Sequence, residues 1–242
     1  RQSEWWARMF DEQFFMYLSG SRGTNADFIF PSDYTGRANN SFASSDTEHV
    51  LKSTIGAGAD GTIEADDKMS LTLIDRAVAR ATMMGGGTEG TPQIQPIMVD
   101  GEEHFVVVMN PWQEYDLRTN ASSGEWLDIQ KASASAEGRK NPIFKGSLGM
   151  YNNVVLHSHK SVIRDTIDTT PSARALFLGE QAAVCAFGSA GTGMRYDWNE
   201  ELEDRGNQVV ISTSSIFGIK KCRFDNKDFG VMQLQTSAAD PA

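Results

Sequence analysis

The 242-residue sequence predicts an α+β fold. Apolar residues recur at helical spacing in residues 4–18 and 66–84. Short apolar and β-branched runs, bounded by turn residues, occupy the middle of the chain and its last third. Helices thus lie among pieces of sheet, and the length is enough to bury a core in one large domain or two small ones.

The composition narrows the possible functions. The formal net charge is −10, so a role in coating nucleic acid is disfavoured. Cys185 and Cys222 lie far apart in sequence, which indicates neither a metal knuckle nor a disulfide framework and suits a reducing compartment. The longest apolar run, residues 173–188, contains charged residues and is too short to span a bilayer, so no membrane partner is expected.

The first predicted helix, residues 4–18, carries an aromatic stripe that is expected to pack in the core: Trp6, Phe10, Phe14 and Tyr17. Residues 20–65 are rich in small polar residues and predict an extended arm that is stabilised by a neighbouring subunit. Within this arm, Phe28–Phe30 and Val50–Leu51 are expected to be short strands of a long hairpin.

A second helix is predicted over residues 66–84, with Asp66 or Ser70 as its cap and the glycines after residue 84 as its end. Its apolar stripe is Leu71, Ile74, Val78 and Ala81. Residues 94–99 and 103–109 flank Asp100-Gly101 and predict a β-hairpin. Pro111 then begins a short helix that ends at Leu117, since proline is favoured at the first helical position. Residues 132–140 predict a polar loop.

Residues 141–159 are expected to bring the chain around a corner into a sheet. Asn141-Pro142 favours an extended entry, Gly146 and Gly149 indicate a turn or a close backbone approach, and residues 153–157 predict a buried strand. Residues 170–187 predict a helix, with Thr170 as cap and Pro171 in its first turn. The tail predicts three strands, at residues 208–212, 216–224 and 229–235.

Two glycine-rich segments invite a nucleotide-binding interpretation. Residues 56–61 fit G-x-G-x-x-G, but a polar stretch precedes them and the helix begins too late for a dinucleotide site. Residues 85–90 lack the lysine and hydroxyl of a phosphate-binding loop. We therefore interpret both as loops and expect no cofactor.

His157 and His159 are the sharpest metal candidates, because alternate residues of a strand share a face. A third ligand would have to come from His104, His49 or a carboxylate, and a surface or interface role is favoured over a metal site.

The remaining polar residues suggest no chemistry. Ser147 has the wrong glycine spacing for a nucleophile elbow. Cys185 is expected to be a buried thiol in the middle of the 170–187 helix. The acidic run 200–204 predicts a solvated helix face or a salt-bridging subunit rim. With no catalytic residues identified, the sequence indicates structure or assembly rather than catalysis.

An ordered set of segments resembles the major capsid proteins of tailed bacteriophages, in a podovirus-type branch. The set begins with FVVVMNP at residues 105–111, YDLR at 115–118 and GEW at 124–126. It continues with the 141–159 stretch, RALFLGEQAAVCAFG at 174–188 and IFGIKKCRFDNKDF at 216–229. The resemblance covers nearly the whole chain and is best over residues 94–235.

This resemblance implies a Hong Kong 97-like fold. Residues 1–99 would form the first part of a peripheral domain, with an extended loop at 20–65 and the spine helix at 66–84. Residues 100–205 would form the axial domain, and residues 206–242 would return to the peripheral domain. Members of the family usually carry an N-terminal arm; the chain begins at Arg1 without a methionine, so we expect that arm to be absent from it.

The implied function is a self-assembling shell of hexamers and pentamers around double-stranded DNA, which is held without sequence-specific binding. Portal, scaffold and decoration proteins are possible partners. The shell would be assembled in the bacterial host cytoplasm and found in the virion. The expected subunit-interface residues are Phe28, Phe30, Tyr34, Arg37, Trp112, Trp126, Lys145, Tyr151, His157 and His159. The alternatives are an encapsulin-like nanocompartment shell and a metal-dependent enzyme that uses His157 and His159.

Overall fold

The computed structural model describes residues 2–54, 61–85, 91–99, 101–120, 126, 129, 131, 147–188 and 195–241. The α-helices with described bounds are α1 (Gln2–Ser19), α2 (Leu71–Met83) and α3 (Pro111–Asn120), and residues 126, 129 and 131 are also helical. The first half contributes five strands: β1 (Gly36–Arg37), β2 (Asn40–Ser41), β3 (Val50–Lys52), β4 (Ile97–Val99) and β5 (Glu102–Met109). The predicted α+β class is confirmed.

The second half is almost entirely strand. Its first members are β6 (Gly149–Tyr151), β7 (Val154–Ser158), β8 (Arg164–Ile167), β9 (Thr170–Leu178), β10 (Ala183–Gly188) and β11 (Asp197–Glu203). The later ones are β12 (Gln208–Ser214), β13 (Ile216–Lys221), β14 (Arg223–Phe224), β15 (Lys227–Asp228) and β16 (Val231–Ser237). The three predicted tail strands are therefore confirmed.

One eight-stranded sheet forms the centre of the fold, in the order β3-β16-β9-β5-β7-β6, with β4 beside β5 and β8 beside β9. The β3–β16 and β5–β7 pairs are parallel, and the other pairs are antiparallel. The sheet draws strands from residues 1–99, 100–205 and 206–242. Its core therefore crosses the predicted domain boundaries, and the division into peripheral and axial domains stays a prediction.

Helices cover both faces of this sheet. On one face, Leu73 and Ile74 of α2 pack in the same core as Phe177 and Met232. On the other face, Leu18 of α1 joins Leu176 and Val231. Successive residues of β9 thus point into two different apolar layers, as expected for a central strand that is buried on both faces.

The prediction of a helix over residues 170–187 is wrong. The segment forms β9 and β10, which are joined by a turn in which Gln181 has a φ of 56°. A strand that is buried on both faces gives a continuous apolar run, which periodicity alone cannot separate from a buried helix. Pro171 lies near the start of a strand, a position that proline also tolerates. Cys185 accordingly lies in β10 rather than in a helix.

Other local predictions are confirmed with shifted boundaries. Ser70 is the cap of α2, because its hydroxyl accepts a hydrogen bond from the Leu73 amide at 3.4 Å. The helix begins at Leu71, five residues later than predicted from Asp66. The hairpin of β4 and β5 forms as expected. The corner at 141–159 turns at Asn152 and Asn153, both with positive φ, and residues 141–146 lie outside the described residues.

Segment 20–65 packs on its own chain over its described residues. The Arg22 guanidinium donates to the Phe30 carbonyl at 2.7 Å, and the Asn40 side chain donates to the Ile219 carbonyl at 2.7 Å. The predicted long hairpin is wrong, because Phe28–Phe30 lies in no strand and Val50–Lys52 pairs in parallel with β16. The predicted strand at Val50–Leu51 is confirmed.

A buried polar network ties this segment to the tail. The Lys221 ammonium lies 2.7 Å from the Asp228 carboxylate, and Arg223 lies 3.1 Å from the other oxygen of Asp228. The Asp228 amide donates to Asp46 at 2.8 Å, and Asp46 also contacts the buried His49 ring at 2.8 Å. Burial alone would raise the pKa of Asp46. The hydrogen bonds from His49 and from the Asp228 amide outweigh burial and hold this pKa well below its usual 3.8.

Replacing Gly149 with alanine is expected to destabilise the fold. A Cβ at this position would lie 2.1 Å from the Ile129 Cγ2 atom and 3.0 Å from its carbonyl oxygen. We expect a loss of about 1–3 kcal/mol in the free energy of unfolding, the usual cost of overpacking. Urea denaturation of unassembled protein measures it. Gly218→Ala in β13 is the control, because a Cβ there meets nothing within 4 Å. Equal stability of Gly149→Ala and wild type would contradict the close approach.

Asp46→Asn is expected to make the free energy of unfolding depend less steeply on pH in the acidic range. A carboxyl whose pKa is depressed in the folded state stabilises it above the unfolded pKa, and this stabilisation is lost as the pH falls below 3.8. Urea denaturation across the acidic range gives the slope, with the exposed Asp33→Asn as control. An unchanged slope in Asp46→Asn would show that Asp46 does not carry this linkage.

Candidate assembly interface

Between Ala183 and Lys221 the chain leaves the central sheet and forms two antiparallel ladders. These two ladders are here called the ribbon. The inner ladder pairs β10 with β13, and the outer ladder pairs β11 with β12. Ser215 alone separates β12 from β13, so these two strands follow one another almost without interruption and form the returning side of both ladders. Neither ladder hydrogen-bonds to the central sheet. Every residue of β11 is exposed, whereas Ile219 and Lys221 of β13 are buried, so the outer ladder projects and the inner ladder is packed on the body.

The outer ladder has one apolar face. Cross-strand pairing sets Trp198 opposite Thr213, Glu200 opposite Ile211 and Leu202 opposite Val209, and these pairs share a side of the ladder. The apolar face is defined as Trp198, Leu202, Val209 and Ile211. Trp198 and Leu202 are 62% and 65% exposed. A two-stranded ribbon is marginally stable in water by itself, and contiguous exposed apolar side chains mark an interaction surface.

The outer ladder is also acidic near its turn. Glu200, Glu201, Glu203 and Asp204 are all exposed and are here called the acidic end. The prediction of a helix face for residues 200–204 is wrong, because residues 197–203 form β11. Cross-strand pairing decides the conformation here, against the helical preference of a Glu-rich run. A role at a subunit rim stays a prediction.

Helix α1 holds the inner part of the ribbon through an aromatic anchor. Phe10 lies 4.6 Å from Phe217 and 5.8 Å from Phe187, measured between ring centroids. Trp6 lies 5.4 Å from Tyr196, and its indole N–H donates to the Thr213 hydroxyl at 3.0 Å. The predicted core role of Trp6 and Phe10 is thus a contact between helix and ribbon. This contact sets the direction in which the ribbon leaves the body.

The predicted interface residues near the N-terminus make contacts within the chain. Phe30 stacks on Tyr34 with ring centroids 4.6 Å apart, and the Arg22 guanidinium lies over the Phe28 ring. Burial raises the pKa of the Tyr34 hydroxyl to about 12. Arg37 is exposed and lies over Phe217 of the ribbon.

The other predicted interface residues are scattered over the body. Trp112 lies under the Arg164 guanidinium, and Trp126 lies beside Arg118. The Tyr151 hydroxyl donates to Asp75 at 2.8 Å. Lys145 lies outside the described residues. Phe28 and Trp112 line one small groove, and the interface role of all these residues stays a prediction.

His157 and His159 do not form a metal site with the residues that the structure describes. His157 is on β7, whereas the His159 ring stacks on Phe15 of α1 and its Nδ1 atom accepts the Ser161 amide at 3.2 Å. Within the described ranges, no group of three or more His, Cys, Asp or Glu side chains is placed to bind a metal ion.

Sequence reasoning missed the ribbon as an interaction surface. Trp198 and Leu202 are four residues apart with only polar residues between them, a spacing that fits a helix as well as a strand. The sequence therefore shows no clear period of two here. A folded body that carries an exposed apolar ribbon is typical of a protein that works through contacts with other chains. No helix in the described part of the chain is long and apolar enough to cross a bilayer.

Comparisons with known proteins agree with this class. The phage capsid protein family matches residues 1–240. The capsid of Ralstonia phage GP4 is 48% identical, with a TM-score of 0.89, and the match covers 100% of this chain and 67% of that chain. No curated protein matches.

More distant structures share the fold. The cyanophage Pam1 capsid is 18% identical to this chain with a TM-score of 0.63, and the match covers 98% of this chain and 67% of that chain. The head protein of Helicobacter pylori bacteriophage KHP40 is 15% identical with a TM-score of 0.60, at the same coverages. The predicted Hong Kong 97-like capsid fold is confirmed.

This chain belongs to the phage capsid protein family. Its role is structural rather than enzymatic. Nothing in the comparisons favours a nanocompartment shell or a metal-dependent enzyme.

Trp6→Ala is expected to loosen the ribbon without unfolding the body. The substitution removes the indole ring from the aromatic anchor and leaves the core contact of Leu18 in place. Amide hydrogen exchange in β11–β13 should accelerate about tenfold, as lost aromatic contacts worth roughly 1.4 kcal/mol would produce. Trp5→Ala, a neighbouring and more exposed substitution, is the control. Equal exchange rates in wild type and Trp6→Ala would show that α1 does not fix the ribbon.

Proposed function

We propose that this chain is the major shell protein of a tailed-phage virion, and that its copies form hexamers and pentamers around double-stranded DNA. Membership of the phage capsid family supports the class of function. The apolar face of the ribbon is the observation that carries the assembly mechanism, because it stays exposed in a single chain and needs a partner. Identical copies that bind head to tail close into rings, which fits capsomers.

The ribbon is proposed to make the main contact with the neighbouring subunit. Part of this role was expected for the loop at 20–65, whose described residues pack largely on their own chain. The family resemblance implies a peripheral domain of residues 1–99 and 206–242 and an axial domain of residues 100–205. We retain that division as part of the proposal, with α2 as the spine helix.

The net charge of −10 supports enclosure of DNA without tight or sequence-specific binding, since carboxylates and phosphates repel. Portal, scaffold and decoration proteins are the further partners that such a shell would use, with assembly in the host cytoplasm. A strongly positive inner surface in an assembled shell would contradict this part of the proposal.

The double variant Trp198→Ser/Leu202→Ser tests the assembly mechanism. Both side chains are exposed in the single chain, so its unfolding free energy should change little, whereas subunit contacts should weaken. Burying a side chain of this size contributes about 1.5–3 kcal/mol, so the protein concentration needed for assembly should rise at least about tenfold. Electron microscopy and light scattering of the purified full-length protein measure shells and rings.

Asn199→Ser/Gln208→Ser is the matched control, because it changes the polar side of the same ladder. Assembly of the Trp198/Leu202 variant at the wild-type concentration would reject the apolar face as the contact. A wild-type protein that stays monomeric at high concentration, with or without a scaffold partner, would reject the proposed function itself.

A further inference from the structure

A small groove lies on the body beside α1, at the start of α3 and next to the segment between β7 and β8. The groove is here called the basic groove, and its main lining residues are Arg8, Phe28, Trp112, Lys160 and Arg164. Its volume of about 210 Å³ is below the roughly 300–1,000 Å³ of pockets that hold drug-sized ligands. It has room for one or two side chains of another protein.

The groove carries unpaired positive charge. Arg8 is paired with the buried Glu12 at 2.9 Å and also donates to the Asp27 carbonyl. Lys160 and Arg164 have no ion-pair partner among the residues that the structure describes. Glu12 and Asp27 are the carboxylates nearby, so three cations face two anions in a chain whose net charge is −10.

The floor of the groove is aromatic. The Arg164 guanidinium lies 4.4 Å from the centre of the Trp112 ring, and Phe28 lines the same space. The stacked guanidinium retains its edge N–H groups for a carboxylate, which arginine binds in a two-pronged geometry. Since Arg164 lies over Trp112 and Arg22 lies over Phe28, the groove offers cationic edges rather than a free apolar surface to one occupant.

The ribbon of the same chain is held on the other side of α1. Successive helix residues are rotated by about 100°, so Arg8 lies about 200° around the helix from both Trp6 and Phe10. Trp6 and Phe10 hold the ribbon, whereas Arg8 faces the groove. This separation favours occupancy by a second copy over the chain's own ribbon, and a contact between two different surfaces is the kind that closes rings.

We propose that the basic groove receives the acidic end of the ribbon from a second copy of this chain. Carboxylates of Glu203 and Asp204 pair with Lys160 and Arg164. The inference rests on the proposed function and specifies which residues meet between subunits. The two surfaces carry opposite charge, whereas DNA phosphates would meet the repulsion of an acidic protein.

Charge exchange tests the pairing. One variant carries Lys160→Glu/Arg164→Glu, a second carries Glu203→Lys/Asp204→Lys, and a third combines all four. Each of the first two should raise the assembly concentration at least about tenfold, equivalent to about 1.4 kcal/mol. The combined variant should recover to within about threefold of wild type. Light scattering and electron microscopy give these concentrations at two salt levels, since exposed ion pairs weaken with salt.

The controls separate pairing from misfolding. Lys160→Glu alone changes an exposed side chain and should also raise the protein concentration needed for assembly. Lys220→Glu, which changes an exposed lysine on the inner ladder, should leave that concentration unchanged. Circular dichroism verifies that each variant is folded. A combined variant that assembles no better than the first two would overturn the pairing, as would Lys160→Glu shells that form normally.

The outcomes distinguish this inference from the proposed function. If wild type forms shells and both charge-reversed variants do so equally well, the groove has no role in assembly and the shell function stands. If the reversed groove variant forms normal shells but retains less DNA, the groove binds nucleic acid and the inference is wrong. If wild type forms no assembly, the proposed function fails first.

Discussion

The buried ion pair between Lys221 and Asp228 holds the place where the ribbon returns to the body. The two side chains are 1% and 0% exposed. Lys221 ends β13 and pairs with Ala183 at the start of β10. The ion pair therefore lies where the chain enters the ribbon and where it leaves it. Removing one member of a buried pair leaves an uncompensated charge and typically costs about 3–5 kcal/mol. The pair therefore anchors the root of the ribbon in the body, and Asp46 connects it to the N-terminal segment.

Helix α1 links folding to assembly along its length. Its C-terminal end packs on the sheet through Leu18, its N-terminal half holds the ribbon through Trp6 and Phe10, and Arg8 lines the basic groove. One rigid helix thus fixes the distance and the angle between the two surfaces proposed to meet in neighbouring subunits. The apolar core of the body is complete within one chain, whereas the apolar face of the ribbon is not.

Sequence predicted the elements whose local signals agree with their packing. The cap at Ser70, the β4–β5 hairpin and the aromatic period of α1 each follow from neighbouring residues. Prediction failed at 170–187, where alanine and leucine favour a helix but burial on both faces of a sheet imposes a strand. The ribbon was missed for a related reason. Its run of glutamates suggests a solvated helix, and only pairing with residues 208–214 reveals that Val209 and Ile211 join Trp198 and Leu202 on one face. Such information is non-local, and composition does not contain it.

The division of labour on the ribbon has a physical rationale for a shell. The apolar face supplies area that gains free energy wherever water is removed, but it has little directional preference. The acidic end adds direction, since its carboxylates are attracted by cations and repelled by the predominantly acidic surface elsewhere. Contacts between such exposed charges are individually weak, at about 0–1 kcal/mol. Weak contacts allow a wrongly placed subunit to dissociate, and ring closure then multiplies the correct ones into a stable capsomer.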